Sequence, residues 1–180
     1  MLSCAALLLV CACVSAYGVE SLSPWPGRTL APFSLESLDG RAVSLADARG
    51  APVLVHYFAT WCLPCRRELP ALAALSARLP ASQLNVIAIS VAEPDIRVRR
   101  FFEALPVPFP VVLDRQRALA RQWGIDVLPT TILLDASLEP RFVAEGEVDW
   151  GSDAAAAAIR SLAMPTDSHT AQTPVQKDTP

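Results

Sequence analysis

Cys62 and Cys65 are the two residues of this chain whose type and spacing are best suited to chemistry. The apolar segment 52–59 before them predicts a buried strand, and segment 66–79 after them predicts a helix. Cys62 is therefore expected at a helix N-terminus, where unpaired N–H groups and the helix dipole favour a thiolate. Such positions lower a cysteine pKa from about 8.5 to roughly 3.5–7.5. The pair is therefore interpreted as a redox site.

Two less reactive interpretations of the cysteine pair are a structural disulfide and a zinc site. Closing a four-residue loop removes only about 2 kcal/mol of unfolded-state entropy, against about 4.7 kcal/mol for a hundred-residue loop. A structural zinc site needs four ligands, and the only histidines of the chain are His56 and His169. The pattern favours redox chemistry over both, so we expect no metal and no organic cofactor.

The composition indicates one folded domain that does not bind nucleic acid. The chain has 180 residues, of which 52% are hydrophobic and 18% are charged. These values are typical of a globular protein with a substantial core. The formal net charge is −3, and no basic stripe is present. Nucleic-acid partners are therefore excluded.

The N-terminal sequence predicts export. Residues 1–16 are apolar and uncharged, which is typical of an export signal, although no Lys or Arg precedes the apolar run. Three routes remain open: cleavage before Tyr17, lipidation at Cys13, or an uncleaved membrane anchor. Residues 17–30 are interpreted as a linker. All three routes place the domain in the periplasm, and the last two tether it to the membrane; we expect a monomeric, tethered domain.

Strands that alternate with helices predict an α/β fold with a sheet covered by helices on both faces. Residues 33–38 and 42–45 alternate apolar and polar side chains around Asp39 and Gly40, which predicts an N-terminal β-hairpin. Further strands are predicted at 53–59, 84–91, 111–113, 130–135 and 141–145, and helices at 64–79, 96–104, 118–123 and 153–162. Residues 164–180 are rich in Pro, Thr, Ser and Gln and predict a disordered tail.

Four motifs together resemble the thioredoxin fold and, more narrowly, the membrane-tethered thiol–disulfide oxidoreductases of the TlpA/ResA type. They are Ala-Pro-Phe-Ser-Leu at 31–35 followed by Asp-Gly, the run from Phe58 to Pro70, Phe-Pro-Val-Val-Leu-Asp at 109–114, and Gly-Ile-Asp-Val-Leu-Pro-Thr-Thr at 124–131. The resemblance covers roughly residues 31–163. It implies a thioredoxin-like domain with a central mixed sheet flanked by helices and an N-terminal hairpin extension.

The resemblance also implies roles for residues around the cysteines. Pro129 is expected to follow a cis peptide bond and to pack against the cysteine pair, with the Leu128 backbone pairing with a substrate strand. Trp61 and Leu63 are expected to shape the rim of the site. Pro64 is expected to stiffen the start of the helix.

Two further residues are open to two interpretations each. Glu93 matches a glutamate that ResA-like proteins hold near their cysteines, but Glu93-Pro94-Asp95 is equally typical of a helix N-terminus. His56 stands where thioredoxins carry a buried acid and TlpA relatives more often an asparagine. It is either a hydrogen-bonded core residue or the acceptor of the Cys65 proton.

The function implied by the resemblance is that of an exported reductase of protein disulfides. Cys62 attacks the substrate disulfide, Cys65 resolves the mixed disulfide, and a membrane dithiol protein returns the electrons. A role in cytochrome c maturation is the commonest in that family.

Two alternatives of different classes remain. A peroxiredoxin-like peroxidase needs a Thr three positions before its cysteine, whereas Thr60 lies two positions before Cys62. A non-enzymatic Cu(I)-binding chaperone would use the same soft thiolates.

Overall fold

The computed structural model describes residues 21–27 and 29–163. The predicted export signal or anchor at 1–16, the start of the predicted linker and the predicted tail at 164–180 lie outside the described residues.

Eight strands and four helices follow one another in the described part of the chain. The strands are β1 (Ser23–Pro24), β2 (Ser34–Glu36), β3 (Ala42–Ser44), β4 (Val53–Phe58), β5 (Asn85–Val91), β6 (Val111–Asp114), β7 (Thr130–Leu134) and β8 (Pro140–Glu145). The helices are α1 (Leu63–Arg78), α2 (Asp95–Ala104), α3 (Ala118–Trp123) and α4 (Asp153–Leu162), and a 3-10 turn covers Leu45–Ala48. The elements predicted between residues 33 and 162 are thus confirmed, with small shifts at their ends.

Six of the strands form one mixed sheet in the order β1-β8-β7-β4-β5-β6. Strands β4, β5 and β6 are parallel to one another. Strand β7 is antiparallel to β4, β8 is antiparallel to β7, and β1 is antiparallel to β8. Strands β2 and β3 form a separate antiparallel hairpin, with a left-handed Gly40 (φ 83°) in its turn. The predicted mixed sheet and N-terminal hairpin are therefore confirmed.

Strand β1 is an addition that the sequence interpretation did not anticipate. Ser23 and Pro24 pair with Val143 and Phe142 of β8, although they fall within the segment predicted as a linker at 17–30. Pro24 lacks an N–H donor, which is tolerated here because β1 is an edge strand. Part of the predicted linker is therefore fixed to the sheet.

The core lies on both faces of the central strand β4. Leu54 and Phe58 face one side and pack with the apolar face of α1, whereas Val55 and Tyr57 face the other side, towards Trp123. This alternation follows from the two-residue period of a strand, and burial on both faces explains why β4 is apolar apart from His56. The carboxyl end of β4 then leads through residues 59–62 directly into α1.

Helices long and apolar enough to cross a bilayer are absent from residues 21–27 and 29–163.

Candidate active site

Cys62 and Cys65 are joined by a disulfide at the start of α1, with an S–S distance of 2.11 Å. Cys62 is the N-cap residue, and its Sγ accepts a hydrogen bond from the Cys65 N–H at 3.3 Å. The predicted position of Cys62 at the strand-to-helix junction is confirmed. Cys62 keeps 5% of its surface exposed and Cys65 keeps none, so Cys62 is the more accessible residue of the pair. Its role as the nucleophile stays a prediction.

Glu93 holds the loop that precedes the disulfide. Its carboxylate accepts hydrogen bonds from the Thr60 N–H at 2.7 Å and from the Thr60 hydroxyl at 2.5 Å. The Ser90 hydroxyl donates a third hydrogen bond at 3.2 Å, and Glu93 is 4% exposed. Glu93 thus contacts the residue two positions before Cys62 and lies two residues before the start of α2, and its part in the chemistry stays a prediction.

A left-handed residue, Ala92, directly precedes Glu93. Ala92 has a φ of 56°, and its N–H donates to the Asp114 carbonyl at 3.0 Å. For a residue with a Cβ this conformation costs roughly 1–2 kcal/mol. The backbone is therefore strained beside the carboxylate that supports the Cys62 loop.

The segment before β7 closes the other side of the site. The Leu128–Pro129 peptide bond is cis, as expected. Pro129 is buried, and its carbonyl accepts a hydrogen bond from Gly146 N–H at 2.8 Å. The Thr130 hydroxyl donates to the Val127 carbonyl at 2.8 Å. Leu128 is half-buried against the core cluster that contains both cysteines, and the pairing of its backbone with substrate stays a prediction.

His56 is fully buried in the middle of β4, on the strand face that it shares with Leu54 and Phe58. Its Nδ1 lies 2.9 Å from the Thr131 hydroxyl, whereas its Nε2 has no hydrogen-bond partner. Burial lowers the pKa of His56 to about 3, because a charged ring would lose its hydration. The imidazole is therefore neutral at physiological pH, which agrees with the interpretation of a hydrogen-bonded core residue.

Glu68 is a buried acid that the sequence interpretation did not single out. It lies three positions after Cys65 on the buried face of α1, is 2% exposed, and its Oε1 accepts a hydrogen bond from the Trp150 indole N–H at 2.5 Å. Its Oε2 has no hydrogen-bond partner. Burial raises the pKa of Glu68 to about 8, and the Trp150 hydrogen bond opposes this shift.

A signal for Glu68 was present in the sequence. The buried residues of α1 include Cys65, Leu69 and Leu72, which recur at helical spacing, and Glu68 falls on the same face. An acid on an otherwise apolar helix face is rare unless it is paired or functional.

The rim of the site is apolar and exposed. Trp61 and Leu63, which were predicted to form it, are 65% and 59% exposed, and Pro64 lies in the first turn of α1. Two further large hydrophobic residues of the described chain, Ile96 and Val127, are 57% and 46% exposed. Ile96 lies at the start of α2 near Glu93, and Val127 lies just before Leu128. The sequence interpretation missed both because nothing distinguishes an exposed aliphatic residue before the fold is known.

Groups of three or more His, Cys, Asp or Glu side chains placed to hold a metal ion are absent from the described residues. The chemistry that this arrangement can perform with its own side chains is thiol–disulfide exchange. Cys62 and Cys65 supply two thiols that interconvert with a disulfide.

Comparisons with known proteins agree with this chemistry. A sequence model of the AhpC/TSA family matches residues 26–139. The thiol-disulfide oxidoreductase ResA of Geobacillus thermodenitrificans (strain NG80-2) is 38% identical over 109 residues, which are 61% of this chain and 63% of that protein. The protein of the same name from Bacillus subtilis (strain 168) is 33% identical over 137 residues, which are 72% of this chain and 75% of that protein.

A solved structure shares the fold. The thiol:disulfide interchange protein of the thioredoxin family from Chlorobium tepidum TLS is 27% identical, with a TM-score of 0.63 over 69% of this chain and 91% of that one. The prediction of a thioredoxin-like fold is thereby confirmed.

Proposed function

We propose that this chain, which belongs to the AhpC/TSA family, is a thiol–disulfide oxidoreductase that reduces disulfides in other proteins through Cys62 and Cys65. The observation that carries the proposal is the disulfide at the N-terminus of α1, with the more accessible cysteine at the N-cap position. A helix N-terminus stabilises the Cys62 thiolate, both through the dipole and through the Cys65 N–H that donates to Sγ.

The proposed reaction is a two-electron exchange. The Cys62 thiolate of the reduced protein attacks one sulfur of a substrate disulfide, forms a mixed disulfide and releases a substrate thiolate. The Cys65 thiolate then attacks Cys62 Sγ, which releases the second substrate thiolate and closes the Cys62–Cys65 disulfide. The substrate gains two electrons and the protein loses two. In this scheme Leu128 and the exposed Trp61 and Leu63 dock the substrate segment beside the disulfide, with Pro129 packed below it.

Cys65 must lose its proton before it can attack, and we assign that proton to Glu68. The two residues are neighbours on one face of α1 at a spacing of three positions. A carboxyl group with a pKa of about 8 is closely matched to a thiol, whose ordinary pKa is about 8.5. His56 is a weaker candidate because burial lowers its pKa to about 3. Glu93 is better placed to position the loop than to move a proton, since both of its oxygens accept hydrogen bonds.

We also propose that the protein works outside the cytoplasm, where residues 1–16 act as an export signal, a membrane anchor or a lipoprotein signal with Cys13 as the lipidated residue. Disulfides persist in such compartments, so a reducing protein there needs a supply of electrons. A dithiol protein of the membrane would supply them, and a disulfide formed by the cysteines of an apocytochrome c is a candidate substrate. Fractionation of cells that express the full chain would test this location, and recovery in the cytoplasm would contradict it.

The direct test of the activity is a stoichiometric transfer of electrons to a protein disulfide. The reduced full chain is mixed with insulin, and the Cys62–Cys65 pair is read by acid quenching, alkylation and mass analysis. We expect one substrate disulfide reduced per protein molecule, and no reduction through this pair in the Cys62→Ala variant. A pair that reacts rapidly with hydrogen peroxide but not with insulin would favour the peroxidase alternative instead.

The contacts of Thr60 weigh against that alternative. The peroxidase considered above needs a threonine three positions before its cysteine, whereas Thr60 lies two positions before Cys62 and its hydroxyl donates to Glu93. For the Cu(I)-chaperone alternative, the reduced protein is titrated with Cu(I). Tight binding together with failure to reduce insulin would replace the proposed activity.

A further inference from the structure

Three arginines form a cluster beside the disulfide on the α2 side of the site. Arg66 directly follows Cys65, and its guanidinium lies 5.8 Å from the centre of the Phe101 ring. Arg97 and Arg100 lie four positions and one position before Phe101 on α2. Residues three or four apart are neighbours on a helix surface, so Arg97 shares the face of Phe101 and adjoins Arg100. All three arginine side chains are exposed. We call these residues, Arg66, Arg97 and Arg100, the arginine cluster.

The arginine cluster is not neutralised by the part of the chain that the structure describes. Arginines elsewhere pair with carboxylates, as Arg67 does with Glu147 at 2.6 Å and Arg115 with Asp95 at 2.7 Å. Within residues 21–27 and 29–163, by contrast, ion pairs to Arg66, Arg97 or Arg100 are absent. Like charges that adjoin on a helix repel one another. The positive charge of the cluster is therefore not offset by ion pairs within the described residues.

The position of the cluster connects it to the disulfide. The hydrogen bonds from Thr60 to Glu93 hold the start of α2 against the loop that precedes Cys62. The exposed apolar residues Leu63 and Ile96 lie at the starts of α1 and α2, on the same edge. A substrate segment that binds at the disulfide and extends over this edge would contact Leu63 and Ile96 first and the guanidinium groups of the arginine cluster next.

The opposite rim carries the other sign of charge. Glu145 is exposed and pairs in register with Thr130, directly after Pro129. Asp126 lies 3.5 Å from Arg117, so this ion pair adds little net charge to the rim. An acidic group on the substrate is therefore attracted to the α2 side and repelled from the side of Pro129.

We infer that the substrate of this site is a polypeptide whose disulfide-forming cysteine is flanked by apolar residues and then by carboxylates, which the arginine cluster binds. The inference rests on the proposed oxidoreductase activity and adds the chemical class of its substrate. Exposed charges of this kind mainly raise association rates, and salt screens their effect.

Three matched peptides test the inference. They share one intramolecular Cys-x-x-Cys disulfide and the same leucine flank, and they differ only in two outer positions, which are Glu, Gln or Lys. The measurement is the second-order rate constant for oxidation of the reduced full chain, read as the alkylation state of Cys62 and Cys65. Each rate constant is divided by that of the same peptide with dithiothreitol, because flanking charges also change the reactivity of the disulfide itself.

We expect the Glu peptide to react about tenfold faster than the Lys peptide at low ionic strength, with the ratio approaching one at about 0.5 M salt. The double variant Arg97→Gln/Arg100→Gln should reduce the low-salt ratio to about two- or threefold. The matched control Arg78→Gln/Arg160→Gln removes two exposed arginines near the C-terminal ends of α1 and α4. This control should leave the low-salt ratio of the Glu and Lys rate constants unchanged.

Equal rates for the Glu and Lys peptides, or a ratio that survives in the Arg97→Gln/Arg100→Gln variant, would overturn the inference. The Gln peptide separates this outcome from failure of the proposed activity. If the Gln peptide oxidises the wild type and not the Cys62→Ala variant, the activity stands whatever the charge dependence. If it oxidises neither, the activity itself fails.

Discussion

The carboxylate of Glu93 accepts two hydrogen bonds from a single residue, Thr60, at 2.7 Å from the backbone nitrogen and 2.5 Å from the hydroxyl. Thr60 lies two residues before Cys62, and Glu93 directly follows the strained Ala92. The contact thus joins the end of β5 to the loop that presents the reactive sulfur. A buried carboxylate with several donors is a strong restraint, because its hydrogen bonds are charge-assisted.

Glu93→Gln tests this restraint. The amide keeps one acceptor oxygen for the Thr60 N–H, but the Thr60 hydroxyl must turn round to accept from the NH2 group, so the buried hydrogen bonds are rearranged and weakened. We expect the free energy of unfolding of the oxidised protein to fall by about 1–3 kcal/mol, and the attack of Cys62 on a peptide disulfide to slow. Glu103→Gln, an exposed position on α2, is the control. If denaturant unfolding of both variants matches the wild type, Glu93 does not hold the loop.

Glu68→Gln should change how stability depends on pH. Burial raises the pKa of Glu68 from 4.5 to about 8, so between these values the folded protein holds a proton that the unfolded chain has lost. The free energy of unfolding contributed by this group therefore falls as pH rises through the window, by at most about 1.4 kcal/mol per pH unit.

The Gln variant lacks this titration and keeps an acceptor for the Trp150 N–H. The free energy of unfolding of the variant, measured with denaturant and compared with that of the wild type, should rise from pH 5 to pH 8. The substitution should also slow resolution of the mixed disulfide by Cys65. A parallel pH dependence in the two proteins would show that Glu68 is already ionised in the fold. The Glu103→Gln control should follow the wild type.

His56→Asn is expected to change how stability depends on pH in the acidic range, below pH 6.5. Burial lowers the pKa of His56 from 6.5 to about 3, so the unfolded chain binds a proton in this window that the folded protein does not. Wild-type stability is therefore lost as pH falls from 6.5 towards 3, and the variant should lose less over that range. The variant should leave the rate of resolution by Cys65 nearly unchanged at pH 7. A large loss of that rate would restore His56 as the proton acceptor.

The sequence was sufficient to predict the elements of the fold and the cysteine pair, because both depend on local patterns. Strand and helix periods placed β4 and α1 on either side of Cys62, and Asp39-Gly40 predicted the hairpin. The role of Glu68 was not predicted, since its pKa depends on packing against Trp150, which is distant in the chain. The apolar rim at Ile96 and Val127 and the pairing of β1 with β8 likewise depend on contacts between distant segments.

The two cysteines should differ in reactivity towards alkylating agents. In the reduced protein, Cys62 lies at the helix N-terminus, whereas Cys65 is buried, with no exposed surface in the disulfide form. Iodoacetamide at about pH 6 should label Cys62 first, since only a thiolate reacts and a helix N-terminus can lower a cysteine pKa below 7.5. Peptide mapping by mass spectrometry reads the two sites separately. Earlier labelling of Cys65 would reverse the proposed roles.

Trapping of the mixed disulfide tests the central claim most directly. In the Cys65→Ala variant, Cys62 can attack a substrate disulfide but nothing resolves the product, because the remaining cysteines, Cys4, Cys11 and Cys13, lie in the predicted export segment. The full chain is expressed in a bacterial periplasm, cells are quenched with acid, and adducts are separated without reductant. Cys62→Ala is the matched control, since it keeps the same leader cysteines.

We predict that Cys65→Ala accumulates covalent protein adducts that disappear on addition of a reductant, and that Cys62→Ala accumulates far fewer. Mass spectrometry should place the linkage at Cys62 and identify the substrate, whose cysteine is expected to have carboxylates nearby. Equal adduct levels in the two variants, or none in either, would contradict the account that Cys62 exchanges disulfides with other proteins.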